Sequence, residues 1–103
     1  MAISDVTNRN GSFYSYNDSN REIAQKHESF LGELIDWSSE MILFYRNCSY
    51  YLYDENFKEI SCKHEGFLGE FKSMAGTTVN FKRNGMLYTY DQSFREKSSR
   101  YVG

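Results

Sequence analysis

Proline is absent from the 103 residues of this chain, cysteine occurs only twice, and neither sign of charge is in clear excess. Without proline, an exposed strand edge lacks one of the residues that keep it from pairing with another chain. Twelve basic and fourteen acidic residues give a formal net charge of −2, which offers no electrostatic footprint for a nucleic-acid backbone. We therefore expect no nucleic-acid partner.

Long hydrophobic runs are also missing. The longest is Met41–Tyr45, whereas a membrane-spanning helix needs about 18 apolar residues. The polar start of the sequence contains no apolar segment of the kind found in signal peptides. These features predict a cytoplasmic protein with no membrane partner, in which a reducing compartment keeps Cys48 and Cys62 as free thiols.

Aromatic residues, by contrast, are abundant, with nine tyrosines, eight phenylalanines and one tryptophan. Hydrophobic residues make up 40% and charged residues 25% of the chain, which is a globular composition in spite of a mean hydropathy of −0.69. A chain of this length is sufficient for one domain. We therefore predict a single domain over residues 1–103.

A repeat of 37 residues dominates the sequence. Residues 9–33 laid on residues 46–70 match at 14 of 25 positions without a gap. The best match, His-Glu-x-Phe-Leu-Gly-Glu, contains His27, Glu28, Gly32 and Glu33 in one copy and His64, Glu65, Gly69 and Glu70 in the next. Periods of this length are typical of units that bury one another's faces. We predict three units, at about 1–37, 38–74 and 75–103, of which the third lacks the strand equivalent to residues 67–74.

Each unit contains a hairpin signal. Asn-Gly between two aromatic runs favours a two-residue type I′ turn, because both turn residues need positive φ, and this pair occurs at 10–11 and 84–85. The resulting register predicts the cross-strand pairs Phe81 with Tyr88, Val79 with Tyr90, Phe44 with Tyr51 and Ile42 with Tyr53. Cys48 takes the glycine position in the middle unit, where its side chain resists positive φ, so we expect a longer or different turn there.

A second hairpin and a further strand complete the predicted unit. The hairpin follows each Tyr-x-Tyr and starts at Asn17, Asp54 or Asp91. The further strand is centred on Leu-Gly-Glu, where Gly32 or Gly69 allows a bulge or a close approach of two backbones. The fold prediction is therefore all-β, with three short antiparallel meanders arranged like propeller blades or as a three-fold prism.

Parts of this sequence pattern resemble two known groups of repeat proteins. Tyr-x-Tyr-Asp at residues 51–54 and 88–91 resembles the core of YD repeats, whose period is shorter. Three short all-β copies in one small domain resemble the layout of the monocot mannose-binding lectins, although only Tyr53 agrees with the sugar-binding motif of that family. Neither resemblance assigns the chain to a family.

The repeated histidines and glutamates raise the question of a metal site, since imidazole and carboxylate groups bind zinc, copper, iron and nickel. The third unit has Tyr101 in place of the histidine. A packing motif has to recur in every copy, whereas a catalytic site need occur only once. We therefore predict that each histidine hydrogen-bonds a turn and each glutamate faces solvent, with no metal and no cofactor.

Four aromatic residues lie outside the repeating pattern, namely Phe13, Trp37, Tyr45 and Tyr50. The tyrosines that recur in register are expected in the core. Phenol and indole groups suit an interface that is apolar in its centre and wet at its border. We predict that these four residues form the interaction surface.

A non-enzymatic function follows from these observations. The missing strand would leave backbone groups unpaired, and a second chain can satisfy such groups by adding a strand. We predict protein–protein interaction or self-assembly, with a homo-oligomer or another protein as the partner. The alternative is a small multivalent glycan-binding module with one shallow aromatic site per unit. An enzyme would require His27, Glu28, His64 and Glu65 to converge in one cleft.

Overall fold

The computed structural model describes residues 3–103, which form eleven strands in three antiparallel sheets. The first sheet contains β1 (Ile3–Arg9), β2 (Ser12–Asn17) and β3 (Glu22–His27). The central sheet contains β4 (Glu33–Trp37), β5 (Ile42–Arg46), β6 (Ser49–Tyr53) and β7 (Glu59–His64). The third sheet contains β8 (Glu70–Ala75), β9 (Thr78–Arg83), β10 (Met86–Tyr90) and β11 (Glu96–Tyr101). Strands that are neighbours in sequence are neighbours in each sheet, so the prediction of an all-β fold with antiparallel meanders is confirmed.

Short helical segments connect the sheets. A 3₁₀ turn at Glu28–Phe30 joins the first sheet to the central one, and α1 (Glu65–Leu68) joins the central sheet to the third. Within residues 3–103, no helix has the length and the apolar character that crossing a membrane requires. The predicted unit at residues 1–37 includes β4, but β4 pairs with β5 in the central sheet, so the central and third sheets begin one strand earlier than the predicted units. Among the described residues, the sheet with three strands is therefore the first one and not the third, contrary to our prediction.

In each sheet, the hairpin with the two-residue turn has the predicted register. Arg9 faces Ser12, Arg46 faces Ser49 and Arg83 faces Met86 across a two-residue turn. The predicted pairs are all present, with Phe44 opposite Tyr51, Ile42 opposite Tyr53, Phe81 opposite Tyr88 and Val79 opposite Tyr90. Turn chemistry and the two-residue period of strands were sufficient to determine this pairing.

The turn at Asn47–Cys48 differs from our expectation. It is neither longer nor of another kind, because Asn47 and Cys48 have φ values of 52° and 61°, close to those of Asn84 and Gly85 at 52° and 79°. Residues other than glycine are strained in this region. The pairing of the aromatic residues on β5 and β6 therefore imposes the turn in spite of the cysteine side chain.

A side-chain oxygen closes the last hairpin of each sheet. Oδ1 of Asp54 accepts hydrogen bonds from the backbone N–H groups of Asn56 at 2.8 Å and Lys58 at 3.0 Å. Asn17 and Asp91 accept the corresponding two bonds in their own turns. Aspartate and asparagine stabilise turns in this way because their short side chains reach the backbone two residues further on.

Glycine is required where β4 and β8 begin. Gly32 and Gly69 have φ values of 96° and 94°. A Cβ atom on Gly32 would lie 2.5 Å from the carbonyl oxygen of Tyr45, and one on Gly69 would lie 2.4 Å from that of Lys82. The predicted close approach of two backbones is therefore present at both positions, and a larger residue there would push the strands apart.

The sheets are stacked face to face, and two hydrophobic cores separate them. The core between the first and central sheets consists of Ile3, Val6, Phe13, Leu31, Ile42, Phe44, Tyr53 and Phe57. The core between the central and third sheets consists of Met41, Leu43, Leu52, Leu68, Val79, Phe81, Tyr90 and Phe94. Successive residues of β5 alternate between the two cores, so both faces of the central sheet are buried.

The outward faces of the stack are polar. On the third sheet, Thr89 Oγ1 donates to Asn80 Oδ1 at 2.6 Å, and Asn80 Nδ2 donates to Ser73 Oγ at 3.0 Å, which forms a ladder across three strands. On the first sheet, Thr7 faces Tyr14 in the register that Phe44 and Tyr51 have in the central sheet. The first sheet therefore has the small polar Thr7 where the central sheet has the buried Phe44, because no further sheet of the described chain packs on that side of the first sheet.

Aspartate side chains occupy the edges at β1 and β4. The backbone N–H of Val6 donates to Oδ1 of Asp5 at 2.9 Å, and that of Trp37 donates to Oδ1 of Asp36 at 2.8 Å. Both strands also change register next to these aspartates. Side-chain acceptors and bulges therefore blunt these edges in a chain that has no proline.

Candidate functional site

The two repeated histidines cap the helical segments. His27 Nδ1 accepts a hydrogen bond from the backbone N–H of Ser29 at 3.1 Å, and His64 Nδ1 accepts one from that of Gly66 at 2.9 Å. Each ring therefore satisfies a backbone group that the first turn leaves without a partner. This is the turn-bonding role predicted for both histidines.

The glutamates that follow the histidines bind neighbouring side chains. Glu28 Oε1 accepts a hydrogen bond from Asn8 Nδ2 at 3.0 Å, and Glu65 Oε1 accepts one from the Tyr45 hydroxyl at 3.0 Å. The bond to Glu65, with burial and the charge of Glu65 acting in the same direction, raises the pKa of Tyr45 to about 12.

The other two glutamates of the motif follow the glycines and lie on the surface. Glu33 is exposed at the start of β4, and Glu70 pairs with Lys72 at 3.2 Å. Over residues 3–103, no three His, Cys, Asp or Glu side chains are grouped as metal ligands would be. The contacts observed for the repeated motif are caps of the helical segments and hydrogen bonds to neighbouring side chains.

The predicted interaction surface requires correction. Phe13 is only 6% exposed and packs edge-on against Phe44, with 5.0 Å between ring centroids, so it belongs to the core between the first and central sheets. It points into this core because the face of the first sheet that carries it is covered by the central sheet. The repeat comparison alone could not indicate which face would be covered.

Trp37, Tyr45 and Tyr50 are half-buried rather than free. Trp37 packs against the first core, and Tyr50 packs against the second, where its ring lies 5.0 Å from that of Phe81. Tyr45 is held by Glu65 and by the ring of Tyr50 at 5.1 Å. These aromatic residues mainly stabilise the stack.

Cys48 and Cys62 are free thiols and both are exposed. Cys62 faces Tyr51 across β6 and β7, whereas the carbonyl oxygen of Cys48 accepts a bond from the N–H of Glu65. The two cysteines are therefore out of register with each other.

The aromatic side chains that do face solvent are different ones. Phe30 is 64% exposed and Phe67 is 65% exposed, and each is followed by a leucine with no exposure, Leu31 or Leu68. Neighbouring residues in one helical turn point in different directions, so a buried leucine leaves the preceding phenylalanine outside. The Phe-Leu pair in the repeated motif was the sequence signal for these exposed rings.

Phe67 stands beside a groove between the central and third sheets, with a volume of about 590 Å³. The floor contains the buried rings of Tyr90 and Phe94. Burial raises the pKa of the Tyr90 hydroxyl, which Arg83 partly opposes. The remaining lining residues are Lys63, Gly66, Phe67, Arg83, Arg95 and Glu96.

Positive charge predominates on the walls of this groove. Lys63, Arg83 and Arg95 contribute three cations, and Glu96 contributes one carboxylate. Lys63 Nζ lies 5.7 Å from the centroid of the Tyr90 ring, and the guanidinium of Arg83 lies 4.4 Å from that of Tyr88. Arg83 also donates a hydrogen bond to the carbonyl oxygen of Phe67, which fixes the segment that carries the exposed ring.

The corresponding place between the first and central sheets is bridged by hydrogen bonds. Lys26, at the position equivalent to Lys63, donates from Nζ to the carbonyl oxygen of Phe57 at 3.3 Å. Arg46, equivalent to Arg83, donates to the Tyr53 hydroxyl at 3.1 Å and to the carbonyl oxygen of Phe30 at 2.6 Å. Lys26 thus bridges the first and central sheets, whereas the equivalent Lys63 lies beside an open groove between the central and third sheets.

The groove can hold an anionic group next to an exposed aromatic ring. Its cations are lysine and arginine side chains, which donate hydrogen bonds to carboxylate and phosphate groups. Sequence reasoning missed the groove, because its walls come from two different sheets and their meeting depends on how the sheets stack. In comparisons with known proteins, the chain matches no protein-family model and no curated protein.

Proposed function

We propose that this protein is a non-enzymatic interaction module that recognises a partner protein through the groove beside Phe67. The observation that carries the proposal is the exposed Phe67 ring, 65% accessible, next to a groove lined by three cationic side chains and one carboxylate. Exposed aromatic side chains backed by a fixed scaffold are typical anchors of protein interfaces. The hydrogen bond from Arg83 to the Phe67 carbonyl oxygen supplies that scaffold.

We also propose that the chain consists of three copies of one antiparallel unit, related like adjacent propeller blades. Three features support this: the 37-residue sequence period, the two-residue turns with positive φ at 10–11, 47–48 and 84–85, and the side-chain-closed turns that start at Asn17, Asp54 and Asp91. Stacked units that contact only their neighbours form surfaces between them, and the proposed site lies on one of these.

A peptide-display selection tests the proposed function. The immobilised full chain is used to select binders from a random peptide library, and selected peptides are then measured on Phe67→Ala and on the matched control Phe30→Ala, which removes an equally exposed ring beside the bridged position. We expect peptides that lose binding on Phe67→Ala and keep it on Phe30→Ala. A selection that yields no peptide sensitive to Phe67 would refute the proposal.

Self-assembly through the edge of β1 is a second candidate. Among the described residues, no strand pairs with the outer side of β1, so a second copy could add a strand there. Asp5 competes for this edge by accepting the Val6 N–H bond. Light scattering should then detect a dimer whose population rises with concentration and increases in Asp5→Ala. A strict monomer in both proteins would exclude this route.

Glycan binding ranks below these functions, because Trp37, Tyr45 and Tyr50 are half-buried and their rings are engaged with the core or with one another. Fluorescence titration of Trp37 with a glycan panel tests this alternative directly. We also retain the prediction of a cytoplasmic location, which imaging of the tagged chain checks.

A further inference from the structure

We infer, on the basis of the proposed function, that the partner segment in the groove beside Phe67 is an acidic peptide that carries an apolar residue next to its carboxylates. The juxtaposition of three cationic side chains and one exposed phenyl ring at the same groove leads to this assignment. It specifies the chemistry of the partner, which the proposed function leaves open.

The charge of the groove contrasts with that of the whole chain. The protein has a net charge of −2, yet the lining residues combine Lys63, Arg83 and Arg95 with a single acid, Glu96. A local excess of positive charge on an acidic protein attracts a complementary segment and repels a basic one. Charge complementarity therefore selects acidic over neutral or basic peptides at this site.

Two of the cations are available to a ligand. Lys63 and Arg95 make no ion pair within 4 Å in the described part of the chain, although the charge of Arg95 also acts on the carboxylate of Asp91. The Lys63 ammonium group lies 5.7 Å from the centroid of the Tyr90 ring. Arg83 is already engaged by the Phe67 carbonyl oxygen, by the Tyr90 hydroxyl and by the Tyr88 ring, so it contributes positive charge to the groove.

The apolar part of the partner segment would lie against Phe67. This ring is 65% exposed and its backbone is fixed, so covering it removes apolar surface from water without ordering a flexible segment. The buried rings of Tyr90 and Phe94 close the floor beneath. A carboxylate beside an aromatic or aliphatic side chain therefore matches both parts of the site.

The bridged position between the first and central sheets provides an internal comparison. It has three basic residues as well, with Lys26, Arg46 and Lys58 in place of Lys63, Arg83 and Arg95. There Lys26 is already bonded to the carbonyl oxygen of Phe57. Substitutions at Lys26 and Lys58 therefore change the charge of the protein by the same amount as those at Lys63 and Arg95, but away from the groove.

Binding of two labelled synthetic peptides tests the inference. One peptide has glutamates on both sides of a phenylalanine, and the other has glutamines at those positions and is otherwise identical. Fluorescence polarisation is measured with the full chain, with Lys63→Gln/Arg95→Gln, and with Lys26→Gln/Lys58→Gln as the matched control. Thermal unfolding of each variant shows whether it is folded.

We expect the glutamate peptide to bind the unmodified chain about tenfold more tightly than the glutamine peptide, since two exposed ion pairs amount to about that ratio. This preference should weaken as salt is added. It should disappear in Lys63→Gln/Arg95→Gln and persist in Lys26→Gln/Lys58→Gln.

Equal affinity for the two peptides, or an equal loss in both double variants, would overturn the acidic assignment. If display selection yields neutral peptides that depend on Phe67, the inference fails while the proposed function stands. If no selected peptide depends on Phe67, the proposed function itself fails.

Discussion

Replacing Cys48 by glycine should stabilise this protein, because it removes strain from the turn between β5 and β6. Cys48 has φ of 61° at the turn position that Gly11 and Gly85 occupy with φ of 84° and 79°. The two turns with glycine and the one with cysteine share the same two-residue register. The substitution therefore changes the strain of one residue without altering the strand pairing.

The expected gain is the difference between two opposing terms. A left-handed conformation costs a residue with a Cβ atom about 1 to 2 kcal/mol, and glycine returns about 0.4 to 1 kcal/mol of this through the greater freedom of its unfolded chain. The net increase in the free energy of unfolding is about 0.5 to 1 kcal/mol. For a domain of this size, that raises Tm by about 2 to 6 °C.

Chemical denaturation with matched variants measures this difference. Cys48→Ala removes the thiol but keeps a Cβ atom at the strained position, so its stability should stay near that of the parent. Gly85→Cys introduces the strain into the third sheet, where an added Cβ atom would meet its nearest neighbours at 3.5 Å and fit without a clash, so it should be destabilised by a similar amount. A gain in Cys48→Ala as large as that in Cys48→Gly would refute the strain argument.

Three further predictions concern the close approach of Gly69 to β9 and the titration of Tyr45 and Asp91. Gly69→Ala should lower the free energy of unfolding by about 3 kcal/mol, since backbone strain and overpacking add. Gly76→Ala, with φ of 56° and no neighbour within 4 Å, should lower it by only about 1 kcal/mol. Equal losses of the two variants in urea denaturation would contradict the predicted clash at Gly69. The pKa of Tyr45 is raised to about 12 from its ordinary value of 10, so its bond to Glu65 contributes stability that is complete below pH 10 and is lost as pH rises through about 12. The spectrophotometric titration of Tyr45→Phe should lack one of the phenol groups that ionise at high pH. Backbone hydrogen bonds lower the pKa of Asp91, so its contribution to stability is present above the ordinary pKa and is lost as pH falls through the lowered one. Asp91→Asn should keep the turn and lose less stability in acid than the parent protein. An unchanged loss of stability in acid would exclude Asp91 as its source.

Local patterns were sufficient to predict an all-β fold and the pairing across the two-residue turns, but not the pairing of β4 with β5. Asn-Gly turns and alternating side chains act over a few residues, so the pair Phe44 with Tyr51 followed from the sequence. The turn at Cys48 was predicted wrongly because local preference was weighed without the cross-strand packing that overrides it. Phe13 was assigned to the surface because the repeat does not tell which sheet faces meet.

The candidate site was harder to predict because it arises between sheets. Lys63 and Phe67 come from the end of the central sheet and from α1, while Arg83 ends β9 and Arg95 lies in the turn before β11. Their proximity depends on the stacking of two sheets, for which no short-range signal exists in the sequence. Only the exposure of Phe67 had a local signal in the sequence, because this residue directly precedes the buried Leu68.

The polar outward faces of the stack determine where a longer relative of this protein could gain material. A sheet added beyond the third one would press apolar side chains such as those of Ile42 and Phe44 onto Asn80 and Thr89, whose hydrogen-bonding groups would then be cut off from water. A sheet inserted beside the central sheet would meet apolar surface on both of its sides. The stack could therefore be lengthened in its middle, whereas the polar outer faces of the first and third sheets end it.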